Sequence, residues 1–386
     1  MSDGLYEIRG ARIAQLIESD GPGGAERCVV NLASHLQAAG CYSVIILPAR
    51  GEGWLGREAA AAGVTVEPFD LERPISPSCV RELRGIFRKH RITLAHTHEF
   101  TMAVYGGVAA WRAHIGHVAT MHGGRYYAAR LRRRVALRGA VQLGHGVLVA
   151  VSDPLARHLS HDLWMARERV LTVPNGVSWE AEPQPVLRRT LGVGAEDRLI
   201  VAVGNLYPVK GHRYLLEALG RLAERVPRVY VAIAGRGDLE PELRAQAAAL
   251  GVADRVRFLG LRDDVPSLLA AADVYALPSL SEGLPLSLLE AMFAGRAIVA
   301  SDVGEVRTVL GSGDAGVIVA PGQSAELATA IEWLLSNPRE AAALGERAAQ
   351  RARADYDVSS MVRRYAEIYR GLLRAVVIGP AASSAR

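Results

Sequence analysis

Short apolar runs alternate with longer amphipathic stretches along most of the chain, which is the pattern of repeated βαβ units. Arg12–Glu18 reads as a strand, followed by the loop Asp20-Gly21-Pro22-Gly23-Gly24 and a helix from about Ala25 to Ala39, stopped by Gly40. Tyr42–Leu47, Val64–Pro68, Leu94–His98, His117–Met121 and Gly146–Val151 read as later strands of the same sheet. Val173-Pro174-Asn175-Gly176-Val177 is then a turn, and Glu182–Val186, with Pro183 and Pro185, reads as a linker. The pattern restarts with strands at Leu199–Gly204, Arg228–Ala234, Val256–Leu259, Val274–Leu277, Ala297–Ala300 and Gly316–Val319, and with helices at Tyr214–Glu224 and Pro241–Leu250. Two successive doubly wound α/β domains are expected, Rossmann-like and facing each other across a cleft at the carboxyl ends of their strands. Their bounds are 1–180 and 181–357. A final helix, 358–376, carries Met361, Val362, Tyr365, Ile368, Tyr369 and Leu372 at helical spacing and returns to the first domain, leaving 377–386 as a disordered tail.

Composition agrees with two domains in 386 residues: half of them are hydrophobic and 22% are charged. Cys28, Cys41 and Cys79 show no C-x-x-C spacing, which argues for a reducing compartment. No apolar run approaches the ~20 residues needed to span a bilayer, and no signal-peptide order opens the chain, so a cytoplasmic location is expected. The net charge of +5 suits phosphorylated ligands, nucleic acid or anionic lipid without choosing among them. Nucleic acid is disfavoured because no stacking aromatics or recognisable module accompany the charge.

Candidate chemistry concentrates in Ser279–Gly295. Pro285 suits a first helical position and Gly295 a left-handed stop, so a helix is expected over about Pro285–Ala294. Its entrance offers the N–H groups of Gly283, Leu284, Leu286 and Ser287 to an anionic diphosphate. Glu290 then lies near the same end, placed to accept from two ribose hydroxyls, and Glu282 in the entering loop can reach hydroxyls of a sugar. A pair of solvated surface carboxylates is the competing reading.

Glu282-Gly283-x-Pro285-x-x-x-x-Glu290 followed by Ala291-Met292-x-Ala294-Gly295 resembles the E-x7-E region of glycosyltransferase family 4, whose fold is GT-B. Further pieces fall in family order: Gly23-Gly24-Ala25-Glu26, His96-Thr97-His98, Thr120-Met121-His122-Gly123, Val173-Pro174-Asn175-Gly176, Val203-Gly204-Asn205-Leu206 with Lys210-Gly211, Ala234-Gly235-x-Gly237 and Ala272-Asp273-Val274. The resemblance implies a retaining transferase that moves a sugar from a nucleotide-sugar donor, a UDP- or GDP-sugar, to a glycan or lipid-linked acceptor in cell-surface polysaccharide or glycolipid synthesis. It implies catalytic roles for His98, Lys210 and Glu282. Donor contacts fall to Gly23, Gly24, Asn205, Lys210, Leu261, Glu282, Gly283, Leu284, Pro285, Leu286, Ser287 and Glu290. Acceptor contacts fall to His122 and Gly123.

Asn205 stands where many members carry arginine, so Lys210 is left as the direct positive charge on the leaving diphosphate, and Arg236 is a candidate to compensate. No metal or other cofactor is expected. Asp355-Tyr356-Asp357 has D-x-D spacing, but Asp357 suits a cap on the final helix better. Arg81, Arg84, Arg88, Lys89 and Arg91, and again Arg125, Arg130, Arg132, Arg133, Arg134 and Arg138, form basic segments in the first domain that suit peripheral contact with an anionic membrane. The competing functions are a nucleotide-sugar epimerase or phosphorylase, which also use GT-B folds, and a non-catalytic sugar-nucleotide binding protein.

Overall fold

The computed structural model describes residues 3–48, 53–71, 76–123, 128–179 and 187–378. The chain divides into two compact units, Met1–Gly176 with Val358–Arg386, and Val177–Asp357. The linker read at Glu182–Val186 lies outside the described residues, as do Gly124, Arg125 and 379–386. The final helix runs Val358–Ile378, so it continues through the first two positions assigned to a tail.

The first unit contains a seven-stranded sheet of β1 (Arg12–Leu16), β2 (Tyr42–Pro48), β3 (Thr65–Phe69), β4 (Leu94–His98), β5 (Gly116–Met121), β6 (Val147–Ala150) and β7 (Val170–Thr172). Their order is β3-β2-β1-β4-β5-β6-β7, and every pairing is parallel. Helices cover both faces, so the central strands are buried on both sides and read as near-continuous apolar runs. The final helix closes one of those faces. Met361, Val362, Tyr365, Ala366 and Tyr369 pack with Ile13, Leu94, Val118 and Val149 from four adjacent strands.

The second unit repeats the plan with β8 (Arg198–Val203), β9 (Val229–Ala234), β10 (Val256–Phe258), β11 (Val274–Leu277), β12 (Ala297–Ser301) and β13 (Val317–Val319), in the order β10-β9-β8-β11-β12-β13. In both sheets the strand order reverses beside the first strand, between β1 and β4 and between β8 and β11. Doubly wound sheets bind ligands outside the carboxyl ends of the strands at such a point. Most of the candidate residues of the sequence fall on the loops that leave these four strands.

Candidate active site

The segment after β8 and the segment after β11 are pressed together at the switch point of the second unit. Gly211, at φ 64°, leaves so little room that a Cβ there would collide with the Pro278 carbonyl oxygen. The Leu280 N–H donates to the Val209 carbonyl at 2.8 Å, tying the two loops. Lys210 and Glu282 meet across this seam. The ammonium Nζ donates to Glu282 Oε1 at 2.8 Å and to Oε2 at 3.0 Å, and the Ser279 hydroxyl donates to Oε1 at 2.6 Å. The Glu282 side chain is only 7% exposed and that of Lys210 26%. The solvated-carboxylate reading is therefore overturned, and two residues 72 positions apart form one ion pair.

Pro285 takes a different place from the one expected. It precedes the helix Leu286–Phe293 with an extended ψ of 118°, and its carbonyl accepts from Leu288 N–H at 3.1 Å. Being the cap residue, it leaves Leu286 and Ser287 as the N–H groups at the open helix end. Tyr275, fully buried on β11, donates to Ser287 Oγ at 2.8 Å, so the Ser287 hydroxyl keeps its own proton for another acceptor. Burial, reinforced by the nearby Glu282 and Glu290 charges, holds the Tyr275 phenol well above its ordinary range, so it remains a donor. Glu290 is 8% exposed, which overturns the surface reading for it as well.

The β8 loop is held from behind. Leu206 N–H donates to the Arg236 carbonyl at 2.9 Å, and a Cβ at Gly235 would strike the Gly204 carbonyl, so the Gly204-Asn205-Leu206 backbone runs against Gly235-Arg236-Gly237. The backbone of exposed Arg236 thereby runs beside that of Asn205. His212 interacts with the Gly204 carbonyl through Nε2 at 3.2 Å. Burial pushes its pKa down to about 4, so it is the neutral donor of that bond. Leu261, just after Gly260 at φ 64°, is exposed, and Arg262 beside it is paired with Asp264.

In the first unit the switch point gathers His98, Glu99, His122 and the start of the helix Gly24–Ala38. Gly23 caps that helix, where a Cβ would run into the Glu26 carboxylate, and Gly24 is its first residue. His98 ends β4 and is 2% exposed. Its Nε2 lies 2.9 Å from Gln15 Oε1 and its Nδ1 3.0 Å from His122 Nε2. Burial lowers both imidazole pKa values, His122 to about 4 and His98 well below its usual range, so both rings are neutral. His98 and His122, assigned separately to sugar and acceptor by the sequence, thus form one hydrogen-bonded pair. Buried Asn175, from the Val-Pro-Asn-Gly turn, lies beside His122.

Glu99 has no counterpart in the sequence reading. It turns strand into helix at φ 65°, a left-handed conformation that non-glycine residues adopt at a cost, and its Oε1 accepts from the His122 N–H at 3.0 Å. Burial, with repulsion from Glu18 and Glu26, pushes its pKa up to about 7. Gln15, Ser279 and Tyr275 were missed for a shared reason. Each lies within or beside a strand that reads as structural; Gln15 meets His98 through the register of β1 on β4, whereas Ser279 and Tyr275 meet Glu282 and Ser287 through the fold of the loop and helix that follow β11.

Among the described residues no three His, Cys, Asp or Glu side chains are gathered to hold a metal ion. All three cysteines are free and buried. Among the same residues no helix is long and apolar enough to cross a membrane.

Comparison with known proteins agrees with this arrangement. The model for Glycosyltransferase Family 4 matches residues 22–180, and that for Glycosyl transferases group 1 matches 184–351. A phosphatidyl-myo-inositol mannosyltransferase of Mycolicibacterium smegmatis is 32% identical over 378 residues, covering 94% of this chain and 95% of its own. A D-inositol 3-phosphate glycosyltransferase of Thermobispora bispora is 30% identical over 344 residues, 81% of this chain and 80% of its own. Among solved structures, Anabaena Alr3699/HepE in complex with UDP-glucose superposes with a TM-score of 0.81 at 26% identity, over 94% of this chain and 100% of that one. The two parallel sheets are those of the GT-B fold. With two family models covering both halves and relatives aligned nearly end to end, the chain is a glycosyltransferase belonging to glycosyltransferase family 4.

Proposed function

We propose that the protein is a retaining, metal-independent transferase that takes a sugar from a UDP- or GDP-sugar and passes it to a glycan or lipid-linked acceptor in cell-surface polysaccharide or glycolipid synthesis. The observation that carries this reading is the Lys210–Glu282 pair, held by Ser279 at the mouth of the helix Leu286–Phe293. Glycosyl transfer passes through an oxocarbenium-like state while negative charge grows on the departing diphosphate. Lys210, the Leu286 and Ser287 N–H groups and the Ser287 hydroxyl are pre-organised donors for that charge. In this reading the leaving phosphate takes the acceptor proton, and no protein nucleophile is needed. Glu282 orients Lys210 and reaches the sugar hydroxyls. Glu290 accepts from the ribose. His98 meets the transferred sugar at the end of β4, with His122 Nε2 giving up its place to a sugar hydroxyl.

A donor that binds the folded chain raises its thermal midpoint by mass action, so a screen of UDP-, GDP- and ADP-sugars tests the donor class directly. One nucleotide is expected to give a selective rise. Glu290→Ala should weaken that donor ~10–100-fold, the value of one or two hydrogen bonds to a carboxylate. An unchanged donor affinity removes Glu290 from the ribose, and no shift with any nucleotide sugar removes the donor class. Turnover that a chelator abolishes would defeat metal independence.

The relatives named above act on phosphatidyl-inositol and on inositol phosphate, which supports a phosphorylated or lipid-linked acceptor here. The basic segments support membrane contact in a reduced form. Arg134 is stacked over Trp164 at 4.1 Å and Arg138 donates to the Leu163 carbonyl, while Lys89 pairs with Glu67, so these three are committed within the fold. Arg81, Arg88, Arg91, Arg130 and Arg132 are exposed, and on the helix Leu131–Leu143 so are Leu131 and Val135, one turn apart. At ~1 kcal/mol per basic residue near an anionic surface, Arg130 and Arg132 changed together to Glu should release the protein from phosphatidylserine vesicles in flotation. Equal flotation with neutral vesicles would defeat membrane docking.

A further inference from the structure

The loop that carries Glu282 is gripped from both of its neighbours in the second sheet. β11 lies between β8 and β12, so residues 278–284 leave the sheet flanked by the segments that follow those two strands. On the β8 side the contact is Gly211 against the Pro278 carbonyl. On the β12 side residues 302–305 play the corresponding part. Gly304, at φ 54°, lies so close that a Cβ would collide with the carbonyl oxygens of both Glu282 and Gly283. Glu305 is buried, and its N–H donates to the Gly283 carbonyl at 3.1 Å. The segment is anchored in turn at Asp302, whose N–H donates to the Val319 carbonyl of β13 at 2.8 Å and whose carboxylate holds the Arg307 guanidinium.

A trans peptide points its C=O and its N–H in opposite directions. With the Gly283 carbonyl drawn to Glu305, the N–H of the same peptide, that of Leu284, is turned away from the β12 segment. It has no acceptor among the described residues, although Leu284 as a whole is only 6% exposed. This donor joins the Leu286 and Ser287 N–H groups at the open end of the helix. In an extended ligand with its ribose at Glu290 and its sugar at Glu282, Leu284 falls two residues from the sugar end. Its N–H is then matched to the phosphate that bears the sugar rather than to the one that bears the ribose. A side chain at position 304 would press on two backbone oxygens, which cannot swing aside as a long side-chain end does. The 283–284 peptide would have to tilt, and the Leu284 N–H would turn with it.

We infer that Gly304, with the Glu305 N–H beside it, is a positioning residue for the donor: it turns the Gly283–Leu284 peptide so that the Leu284 N–H meets the sugar-bearing phosphate. The inference rests on the reading that a nucleotide sugar lies between Glu282 and Glu290. It gives the β12 segment, which carries no motif residue, a part in the site.

Gly304→Ala is expected to weaken UDP on the order of tenfold, the value of one hydrogen bond to a charged group, and to leave UMP within about twofold. GDP and GMP replace them if guanine gives the thermal shift. Gly251, at φ 68° with no heavy atom within 4 Å of a built Cβ, is the matched control. Gly251→Ala carries the same left-handed strain and should leave both affinities unchanged. In wild type labelled with ¹⁵N-leucine, the Leu284 amide proton should move downfield with UDP and stay in place with UMP, a readout that needs no variant to fold. Equal loss of UDP and UMP in Gly304→Ala overturns the inference, as does a Leu284 signal that UDP leaves unmoved. A wild type that binds neither UDP nor GDP defeats the donor reading and takes this inference with it. A wild type that binds one of them, beside a Gly304→Ala that binds it equally well, defeats the inference alone.

Discussion

Replacing Lys210 with alanine is expected to lower kcat ~10²–10³-fold, the usual cost of removing one pre-organised donor from a developing negative charge. Asn205 supplies no charge of its own, and Arg236 beside it is exposed, so no buried cation adjoins Lys210 on its own loop to share the task. From the sequence alone this change would be expected to cost catalysis far more than folding. The structure adds a second consequence. Glu282 is almost wholly buried and would be left with the Ser279 hydroxyl in place of the ammonium, so stability should fall by about 1–3 kcal/mol as well. The two effects are separable. Adding Glu282→Gln to Lys210→Ala removes the stranded charge and should restore much of the thermal midpoint, while turnover stays low. Near-normal kcat in the single variant would remove Lys210 from the mechanism. A double variant no more stable than the single one would show that the pair contributes nothing to folding.

Lys210 and Glu282 also show what a sequence can and cannot disclose. Strands β1, β2, β4, β5, β8, β9 and β11 were legible because each is buried on both faces and stands out as an apolar run between helices. β7 was not, because three residues at a sheet edge carry too little pattern, and Val170–Thr172 looks like any short apolar segment. The motif residues were legible one by one, since glycine, proline and carboxylate spacing marks a loop entering a helix. Their partnerships were not. That Lys210 faces Glu282 and that His98 shares a bond with His122 depend on the parallel register of strands far apart in the chain, and Tyr369 reaches His96 across 273 positions because the final helix docks on the first sheet. Glu99 was invisible for another reason: its left-handed backbone is imposed by the strand-to-helix turn, and an ordinary glutamate gives no sign of it.

The histidines that serve the first unit should also make it acid-labile. His96, His98 and His117 are buried and His122 is partly so, and all four are held neutral, with His117 and His122 pushed to about 4 and the other two well below the usual value. Unfolding frees each ring to titrate near 6.5. The native state therefore binds fewer protons than the unfolded chain below that pH, and stability that is complete above 6.5 drains away as pH falls toward 4. Between pH 7.5 and 5.5 each ring costs on the order of 1 kcal/mol, and the four together several. Glu99 works in the opposite sense. With its carboxyl raised to about 7 in the fold, it takes up a proton on folding as pH drops and returns about 2 kcal/mol over the same range. The net loss, on the order of 2 kcal/mol, is a sizeable share of the about 5–15 kcal/mol that holds most domains together. The second unit has His212 alone among the described histidines with such a shift, and should lose on the order of 1 kcal/mol. Hydrogen exchange followed at pH 7.5 and 5.5, corrected for intrinsic rates, should show β4 and β5 losing protection ahead of β8 and β11. His117→Gln retains a donor for Thr97 Oγ1 and removes one titrating ring, so it should shrink the pH dependence by on the order of 1 kcal/mol. Equal loss in the two units, or stability in the first unit that does not change across this range, would mean that these rings are not held neutral by the fold.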